Sequence, residues 1–331
     1  MTRLTANTEL VVCSAETLAT HPELFHYTSL AAFQSIAASN SFWASHYAEM
    51  TDKSEVLLMK DRLPPVIAPR FEEIVTPMNR HNRRLFQAAG GGLGLAKDFV
   101  ASLYGATFLG KATFSALEAF LVSFSTHAHD SDFDRVHGVA SQWQGYAGPN
   151  GVCLVLDTPS MANYLGQAMD SQYWVRLALE PVRYADAPVD QLFPELVEAS
   201  ADTLRQFIQG VRYSEMAVPE FLSGATLLKR AEYKPEREIR IVGIPGTKRL
   251  SDQAKKEHPA DFKVLPLPEI RQRSDGRRYV PLLEPLSIKL PIKRIIVGPS
   301  AQQTENAAFV RSTLNDTPIS LSECRLTDGL A

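Results

Sequence analysis

Several features that would assign this chain to a common class are missing from its sequence. Three cysteines occur in 331 residues, at Cys13, Cys153 and Cys324, and they form no Cys-x-x-Cys pair. That number and spacing exclude a disulfide-rich secreted scaffold and a cysteine-based zinc site, and favour reduced thiols. No apolar stretch approaches the roughly 20 residues that cross a bilayer, and the polar start of the chain is unlike a signal peptide. We therefore expect a cytoplasmic protein with no membrane partner.

The chain also lacks an excess of charge of either sign. Charged residues make up 21% of the sequence, and the formal net charge is −3. A protein that binds nucleic acid over its whole surface is therefore excluded. Two local basic patches remain candidates, one formed by Lys229, Arg230 and Lys234 and the other by the stretch 271–278. No strand is followed by Gly-x-Gly-x-x-Gly and a helix, which argues against a Rossmann domain.

The sequence does contain short strand patterns scattered among helical stretches of irregular length. This order is typical of an α+β protein with small mixed or antiparallel sheets, and not of a repeated βαβ fold. With 45% hydrophobic residues the chain can bury a sizeable core. Strands are predicted at 24–28, 42–45, 121–125, 151–156, 174–179, 182–184, 238–242, 264–267, 279–283, 292–297 and 319–321.

Two long helical stretches interrupt this strand pattern, and we interpret them as insertions at 64–120 and 188–224 within a single domain spanning 1–331. In the first insertion, Pro64-Pro65 is expected to break the chain. The glycine run 90–94 follows a helical pattern, so we interpret it as a flexible joint and not as a phosphate-binding loop.

The first candidate for chemistry is the segment Phe25-His26-Tyr27-Thr28-Ser29. A strand that ends in an imidazole, a phenol and two hydroxyl groups, and then enters a capped helix, places several hydrogen-bonding groups at one edge of a sheet. The alternative is structural, with Tyr27 in the core and the two hydroxyl groups serving only as caps.

The second candidate runs from Ser123 to Tyr146. Trp143 and Tyr146 lie three residues apart, so they share a face if that stretch is helical. They form either a stacking wall for a planar ligand or ordinary core beneath a loop. The same segment holds three histidines and three aspartates between positions 127 and 137. Their spacing matches no metal site, so we predict no metal ligands and interpret 127–134 as a solvated polar loop.

The third candidate is Glu236-Arg237-Glu238-Ile239-Arg240. On a strand, Glu236, Glu238 and Arg240 point to the same face. Two partly buried carboxylates on one face raise each other's pKa, which favours a bound cation, a basic partner or acid–base chemistry. The alternative is an exposed strand face on which Arg240 neutralises Glu238.

Together these blocks resemble a widespread family of bacterial domains of unknown function. Those domains open with Tyr-Thr/Arg-Ser, carry an Asn-Asp-x-x-Glu turn, and continue with Phe-Ser, Ser-x-Trp-x-x-Tyr and Glu-x-Glu-x-Arg. The chain departs from the pattern at Thr51, where Asn is usual. The matching blocks are Tyr27-Thr28-Ser29, Phe42-Trp43-Ala44-Ser45, Met50-Thr51-Asp52 with Glu55, Phe124-Ser125, Ser141-Gln142-Trp143 with Tyr146 and Gly151, Glu236 to Arg240, and Ile295 to Pro299.

The three candidate segments also resemble the signature of the ADP-ribosyltransferase fold. That signature has Arg or His on a first strand, Ser, Thr or Tyr on a second, and Glu, often Glu-x-Glu, on a later one. The resemblance implies a split β-sandwich in a bacterial toxin or defence protein, with NAD as the substrate that loses nicotinamide. It implies these roles: Glu238 and Glu236 catalytic, His26 and Thr28 at the adenosine ribose or phosphates, Ser125 and Thr126 at the nicotinamide side, and Tyr27 or Tyr146 stacked on the ring.

The resemblance leaves the acceptor of the ADP-ribose group open, and protein, nucleic acid and water are all candidates. Two other functions are also open. One is a non-catalytic sensor or interaction module on the same fold. The other is a metal-dependent hydrolase or nuclease built on the 127–134 loop.

Overall fold

A computed structural model describes residues 12–50, 55–77, 80–107, 117–210, 217–257 and 263–325. The expected turn at Thr51 and Asp52 lies outside these ranges. The strands are β1 (Glu23–Ser29), β2 (Trp43–His46), β3 (Phe120–Ser125), β4 (Gly151–Asp157), β5 (Trp174–Pro181), β6 (Arg183–Tyr184), β7 (Leu228–Lys229), β8 (Glu238–Pro245), β9 (Arg271–Gln272), β10 (Arg278–Pro281), β11 (Ile292–Val297) and β12 (Ile319–Leu321).

The helices alternate irregularly with these strands, and short 3₁₀ turns occur at Tyr47–Glu49, Glu55–Leu57, Ala231–Glu236 and Glu284–Leu286. One π-helical turn spans Trp143–Ala147. The α-helices are α1 (Ala15–Thr20), α2 (Leu30–Ser39), α3 (Leu58–Val75), α4 (Arg80–Ala88), α5 (Gly91–Thr107), α6 (Asp132–His137), α7 (Ala140–Gln142), α8 (Thr158–Ser171), α9 (Val189–Leu192), α10 (Pro194–Ile208), α11 (Ala217–Leu227), α12 (Lys248–Glu257) and α13 (Gln303–Thr313).

The junction of β1 and α2 follows directly from the local sequence. The Ser29 hydroxyl accepts a hydrogen bond from the Ala32 N–H, which caps the helix as predicted. The helix ends at Asn40, whose φ of 47° lies in the left-handed region that asparagine tolerates. β1 is therefore followed at once by a helix that packs back onto the sheet.

The main sheet is mixed and forks at β3. Its order is β12-β11-β4-β1-β3-β2-β10-β9, and β8 pairs along the other edge of β3 and continues to β5. β1 touches β3 at one register pair, Phe25 with Ser125, and β2 pairs with β3 near its other end. Between these two points β1 and β3 separate, and the His26 ring donates from Nδ1 to the Ser123 carbonyl at 3.0 Å. The His26 side chain thus takes the place of a backbone hydrogen bond between β1 and β3 at the fork.

The two faces of the sheet are covered differently. One face carries a continuous apolar cluster, the first core, which includes Leu24, Phe124 and Ile239 and packs against α2, α8 and α13. The other face is divided between two clusters. The second core lies under α3, α5, α10 and α11, and the third core surrounds Trp143. The divided face is where polar side chains have room between the cores.

Both expected insertions are helical in their described parts, but Pro64-Pro65 does not break the first. The two prolines lie inside α3. The prediction of a break is wrong because Leu63, Ile67 and Phe71 are fully buried on one face of the helix, and that packing outweighs the proline cost. The expected flexible joint at 90–94 is wrong for most of its length, because only Gly90 lies in a turn and the other four residues begin α5. A Cβ on Gly92 would lie 2.5 Å from the Ala68 carbonyl oxygen. A glycine there lets α5 pack closely on α3.

The α+β class is confirmed, but the expectation of small sheets is wrong, because the main sheet joins ten of the described strands. Two strand predictions also need correction. Residues 264–267 form no strand, and the hairpin instead joins β9 to β10. β8 is buried along all eight residues, whereas the alternation of charged and apolar residues predicted a half-buried strand. Among the helices of the described ranges, none combines the length and hydropathy that a membrane span requires.

Candidate functional site

Three of the predicted segments meet on neighbouring strands. Phe25 of β1 is the register partner of Ser125 of β3, and Ser125 is the partner of Glu238 of β8. Because register partners in antiparallel strands point to the same face, Phe25, Ser125 and Glu238 form one row across the sheet. The row lies on the divided face, where Tyr27 belongs to the third core.

A chain of five alternating charges crosses this face beside the row. It consists of Glu55, Arg240, Glu238, Lys229 and Glu236, and we call it the ionic chain. Arg240 Nε lies 2.6 Å from Glu238 Oε1, and Arg240 Nη2 lies 3.0 Å from both Glu238 Oε2 and Glu55 Oε1. Lys229 Nζ donates to Glu238 Oε2 at 2.8 Å and also to Glu236.

The ionic chain is buried for most of its length. Glu55, Arg240 and Glu238 are 4%, 1% and 6% exposed. Arg240 also donates to the Thr226 carbonyl at the end of α11. Burial of these charges is costly unless each one is paired and hydrogen-bonded, so the network holds the 3₁₀ turn at Glu55, helix α11 and strand β8 in one arrangement.

The neighbouring charges fix the protonation state of Glu238. Burial alone would raise the pKa of this carboxyl, but Arg240 and Lys229 outweigh burial and lower the pKa to about 2. The same coupling raises the pKa of Lys229 against the effect of its own burial. Burial raises the pKa of Glu55 in spite of Arg240. Glu238 is therefore an ionised carboxylate at neutral pH.

Three tyrosines surround the outer end of the ionic chain. The Tyr146 hydroxyl donates to Glu236 Oε1 at 2.8 Å, and the Glu238 N–H donates to the Tyr184 hydroxyl oxygen at 2.9 Å. Lys229 Nζ lies 5.0 Å from the centroid of the Tyr233 ring. Tyr146 is 52% exposed, so its ring is available to a planar ligand, as one sequence interpretation required.

Tyr27 and Ser125 lie on the same face of the sheet as Glu238, whereas His26 and Thr28 do not. Side chains alternate along a strand, and the His26 ring contacts Phe42 and Phe124 of the first core. His26 and Thr28 therefore lie on the face opposite Glu238, and the expectation that they share a groove with it is wrong. The physical reason is that Phe25, and not His26, pairs with Ser125 in the row. His26 and Thr28 are an odd number of residues from Phe25, so their side chains point to the opposite face.

Ser125, Thr126 and Trp143 are all buried, with polar groups bonded inside the protein. The Ser125 hydroxyl donates to Gln142 Oε1 at 2.9 Å, and Thr126 Oγ1 lies 3.0 Å from His21 Nδ1. Trp143 is 1% exposed and donates from its indole to the His137 carbonyl. Trp143 is thus a core residue beneath a loop, and the alternative prediction of a stacking wall is wrong for this residue.

Tyr27 belongs to a buried relay with His127 and Asp130. His127 Nδ1 lies 2.7 Å from Asp130 Oδ2, and His127 Nε2 lies 2.9 Å from the Tyr27 hydroxyl. Burial lowers the pKa of His127 to about 4, so the ring is neutral at pH 7. Because a carboxylate only accepts, Nδ1–H donates to Asp130, and Nε2 accepts from Tyr27. Arg237, just before Glu238, pairs with the other oxygen of Asp130.

A surface cavity of about 440 Å³ opens beside this relay. Phe25, His127, His129 and Arg135 contribute to its lining. No group of three or more His, Cys, Asp or Glu side chains in the described ranges is arranged to hold a metal ion. The 127–134 segment is also less solvated than expected, because His127 is buried.

Sequence reasoning missed the two partners that matter most to Glu238. The sequence predicts that Lys229 belongs to a local basic patch, but Lys229 is buried against Glu236 and Glu238. The sequence indicates Glu55 only as the end of a turn motif, and the structure pairs it with Arg240. The sequence does contain an indication of this pairing, because Lys229 comes shortly before Glu236 and Glu238. A buried pair of carboxylates requires a cation nearby.

Comparison of the chain with family models, with curated proteins and with solved structures gave no match. The resemblance to bacterial domains of unknown function, and through them to ADP-ribosyltransferases, therefore rests on the sequence blocks alone.

Proposed function

We propose that this protein is an ADP-ribosyltransferase-like enzyme that takes NAD as its substrate and breaks the nicotinamide–ribose bond. The observation that carries the proposal is the row of Phe25, Ser125 and Glu238 on three adjacent strands, with Tyr27 on the same face. Hydroxyl groups and an ionised carboxylate are thereby brought together from segments more than 200 residues apart in the chain, Phe25 and Glu238.

Glu238 supplies the electrostatic part of the reaction. When the bond between the ribose carbon and the nicotinamide nitrogen breaks, its electrons leave with nicotinamide and positive charge develops on the ribose. A carboxylate that is already ionised and held in place stabilises that charge without reorganisation. An oxygen or nitrogen of the acceptor then bonds to the ribose carbon, and its proton passes to Glu236 as general base. Protein, nucleic acid and water remain the candidate acceptors.

The divided face also offers places for the rest of the dinucleotide. The exposed ring of Tyr146 is suited to stacking on nicotinamide. Ser123, the register partner of Arg240, is exposed where β1 and β3 separate, so solvent reaches this face near Glu238. The cavity beside His127 has Arg135 in its wall, a residue type that pairs with phosphate. We assign the phosphates to this cavity in place of His26 and Thr28.

The experiment is incubation of the purified protein with NAD, followed by measurement of released nicotinamide. We expect release from the parent protein and a drop of about 10²–10³-fold in Glu238→Gln, the size of effect for removal of one transition-state charge partner. Glu232→Gln is the matched control, because Glu232 lies in the 3₁₀ turn just before β8 and its side chain is 66% exposed. Circular dichroism checks that each variant is folded.

A second function, a non-catalytic NAD-binding module on the same fold, is favoured by one observation. Both carboxylate oxygens of Glu238 are already bonded, one to Arg240 and the other to Arg240 and Lys229. Calorimetric binding of NAD without nicotinamide release, equal in the parent and in Glu238→Gln, would select this function over the enzyme. Release that is the same in both proteins would exclude Glu238 as the catalytic carboxylate.

A further inference from the structure

The two cations that hold Glu238 differ in how firmly they are themselves held. Arg240 is 1% exposed and bonds Glu55, Glu238 and the Thr226 carbonyl. It has no route out of the network that does not leave Glu55 buried without a cation. Lys229 donates only to the carboxylates of Glu236 and Glu238. It lies toward the outer end of the ionic chain, where the Glu236 side chain is 19% exposed. Lys229 is the member of the pair that can be exchanged.

The surroundings of the Lys229 ammonium are those of a site for an organic cation. Two carboxylates accept its hydrogen bonds, and the Tyr233 ring lies 5.0 Å away. The Tyr146 hydroxyl donates to the Glu236 carboxylate, and the Tyr184 hydroxyl accepts from the backbone N–H of Glu238. Carboxylates and aromatic rings around one nitrogen are the features by which proteins bind ammonium and pyridinium groups.

The backbone of Lys229 is fixed while its side chain is a flexible tether. Lys229 ends the short strand β7, which pairs with β6, and its carbonyl accepts from the Ala185 N–H. Four rotatable bonds separate this anchored backbone from the ammonium group. A rotation of the side chain toward the exposed Tyr146 side vacates the site without any change in the sheet.

We propose that Lys229 is an internal occupant of the NAD site, whose ammonium group holds the place of the cationic nicotinamide–ribose end until NAD displaces it. The inference rests on the proposed function. Exchange of one cation for another leaves no uncompensated buried charge, which is why the step is accessible. Once Lys229 leaves, Glu238 Oε2 keeps one of its two cationic partners and turns its open side to the ribose, while Arg240 holds both carboxylate oxygens in position.

The first test uses a small cation that cannot react. Lys229→Ala removes the outer three carbons and the ammonium group of the lysine side chain, of which n-butylammonium is the free analogue. Lys234→Ala is the matched control because Lys234 is a salt-bridged but 64% exposed lysine of the neighbouring turn. We expect n-butylammonium to raise the melting temperature of Lys229→Ala by about 2 °C or more, with no rise in the parent or in Lys234→Ala. Neutral n-butanol is expected to give no rise.

If Lys229→Ala folds only when butylammonium is present, the result supports the proposal in its strongest form. If the amine neither stabilises nor rescues this variant, the site does not exchange cations and the proposal is overturned. That outcome leaves NAD cleavage by the parent protein untouched, so the two proposals fail separately.

The second test measures NAD affinity by calorimetry. Lys229→Met removes the competing charge but keeps the apolar stem, so NAD is expected to bind about tenfold more tightly than to the parent protein. Unchanged or weaker binding would make Lys229 a structural residue and overturn the proposal. Absence of NAD binding to every variant, together with a butylammonium effect, would retain the exchangeable cation site and reject NAD as its ligand.

Discussion

In the first half of β8, residues 238–241, both faces of the strand are buried and the two faces are chemically opposite. On one face Ile239 and Ile241 enter the first core, both fully buried. On the other face Glu238 and Arg240 are also buried, but as members of the ionic chain. The comparison teaches that burial of a strand face reveals nothing about its chemistry, because hydrocarbon and paired charges are both excluded from water.

The two faces are expected to respond to mutation by different rules. An apolar face loses stability in proportion to the volume removed. An ionic face loses little when a whole pair is replaced and much when one partner is left alone. Only the ionic face ties distant segments to particular positions, because its bonds are directional.

Replacement of Arg240 by Met should have the largest effect. The variant leaves Glu55 buried without its guanidinium partner, which costs about 3–5 kcal/mol of unfolding free energy. Urea denaturation measures the loss. Arg205→Met is the control, since the Arg205–Asp202 pair is 46% exposed on both sides and should change stability by less than about 0.5 kcal/mol. A loss below about 1 kcal/mol for Arg240→Met would remove the distinction between the faces.

Acidification should have the second-largest effect on stability, because it protonates Glu238 of the ionic chain. The pKa of Glu238 is lowered to about 2 in the folded protein from an ordinary value of 4.5. The carboxylate therefore stabilises the fold above pH 4.5, and that contribution, roughly 3 kcal/mol, is lost as the pH falls from 4.5 toward 2. Urea titrations at several pH values should show a shallower decline in Glu238→Gln. Parallel declines in the two proteins would contradict the assignment.

A small change on the apolar face should cost less. Ile241→Val removes one methylene from the first core and should lower the unfolding free energy by about 0.5–1.5 kcal/mol, with no dependence on pH. The same urea titration at pH 7 and pH 4 provides the measurement. A pH-dependent loss would mean that the two faces are coupled through the strand.

The smallest effect should come from an ion pair that is not buried. Lys248 and Asp252 lie 2.7 Å apart on α12, and their side chains are 81% and 56% exposed. Lys248→Ala should change the unfolding free energy by less than about 0.5 kcal/mol, because water screens this pair. A loss above about 1 kcal/mol would show that pairing, and not burial, sets the strength of the ionic face.

The sequence was a good guide wherever local chemistry decides the structure. The Ser29 cap, the strand after Gly151 and the strand at 292–297 were all predicted from neighbouring residues, and all are confirmed. Cap hydroxyls, apolar runs and glycine turns act over a few residues, so a single sequence contains the information.

The sequence was a poor guide where distant partners decide it. β8 was interpreted as half-buried because its charges alternate with isoleucines, yet Arg240 finds Glu55 185 residues earlier. The groove prediction placed His26 with Glu238, because a strand pattern gives the alternation of faces but not which face meets a given partner. The sequence around Trp143 likewise does not indicate whether its ring lies in the core or forms a stacking wall for a ligand.

The position of β1 has a consequence for how the protein is made. Its neighbours in the sheet are β3 and β4, and Phe25 pairs with Val155, 130 residues later in the chain. A ribosome adds roughly 5–20 residues per second, so this strand emerges on the order of ten seconds before its partners exist. During that interval Leu24 and Phe25 have no sheet to enter, and the nascent chain is most exposed to aggregation and most dependent on chaperones.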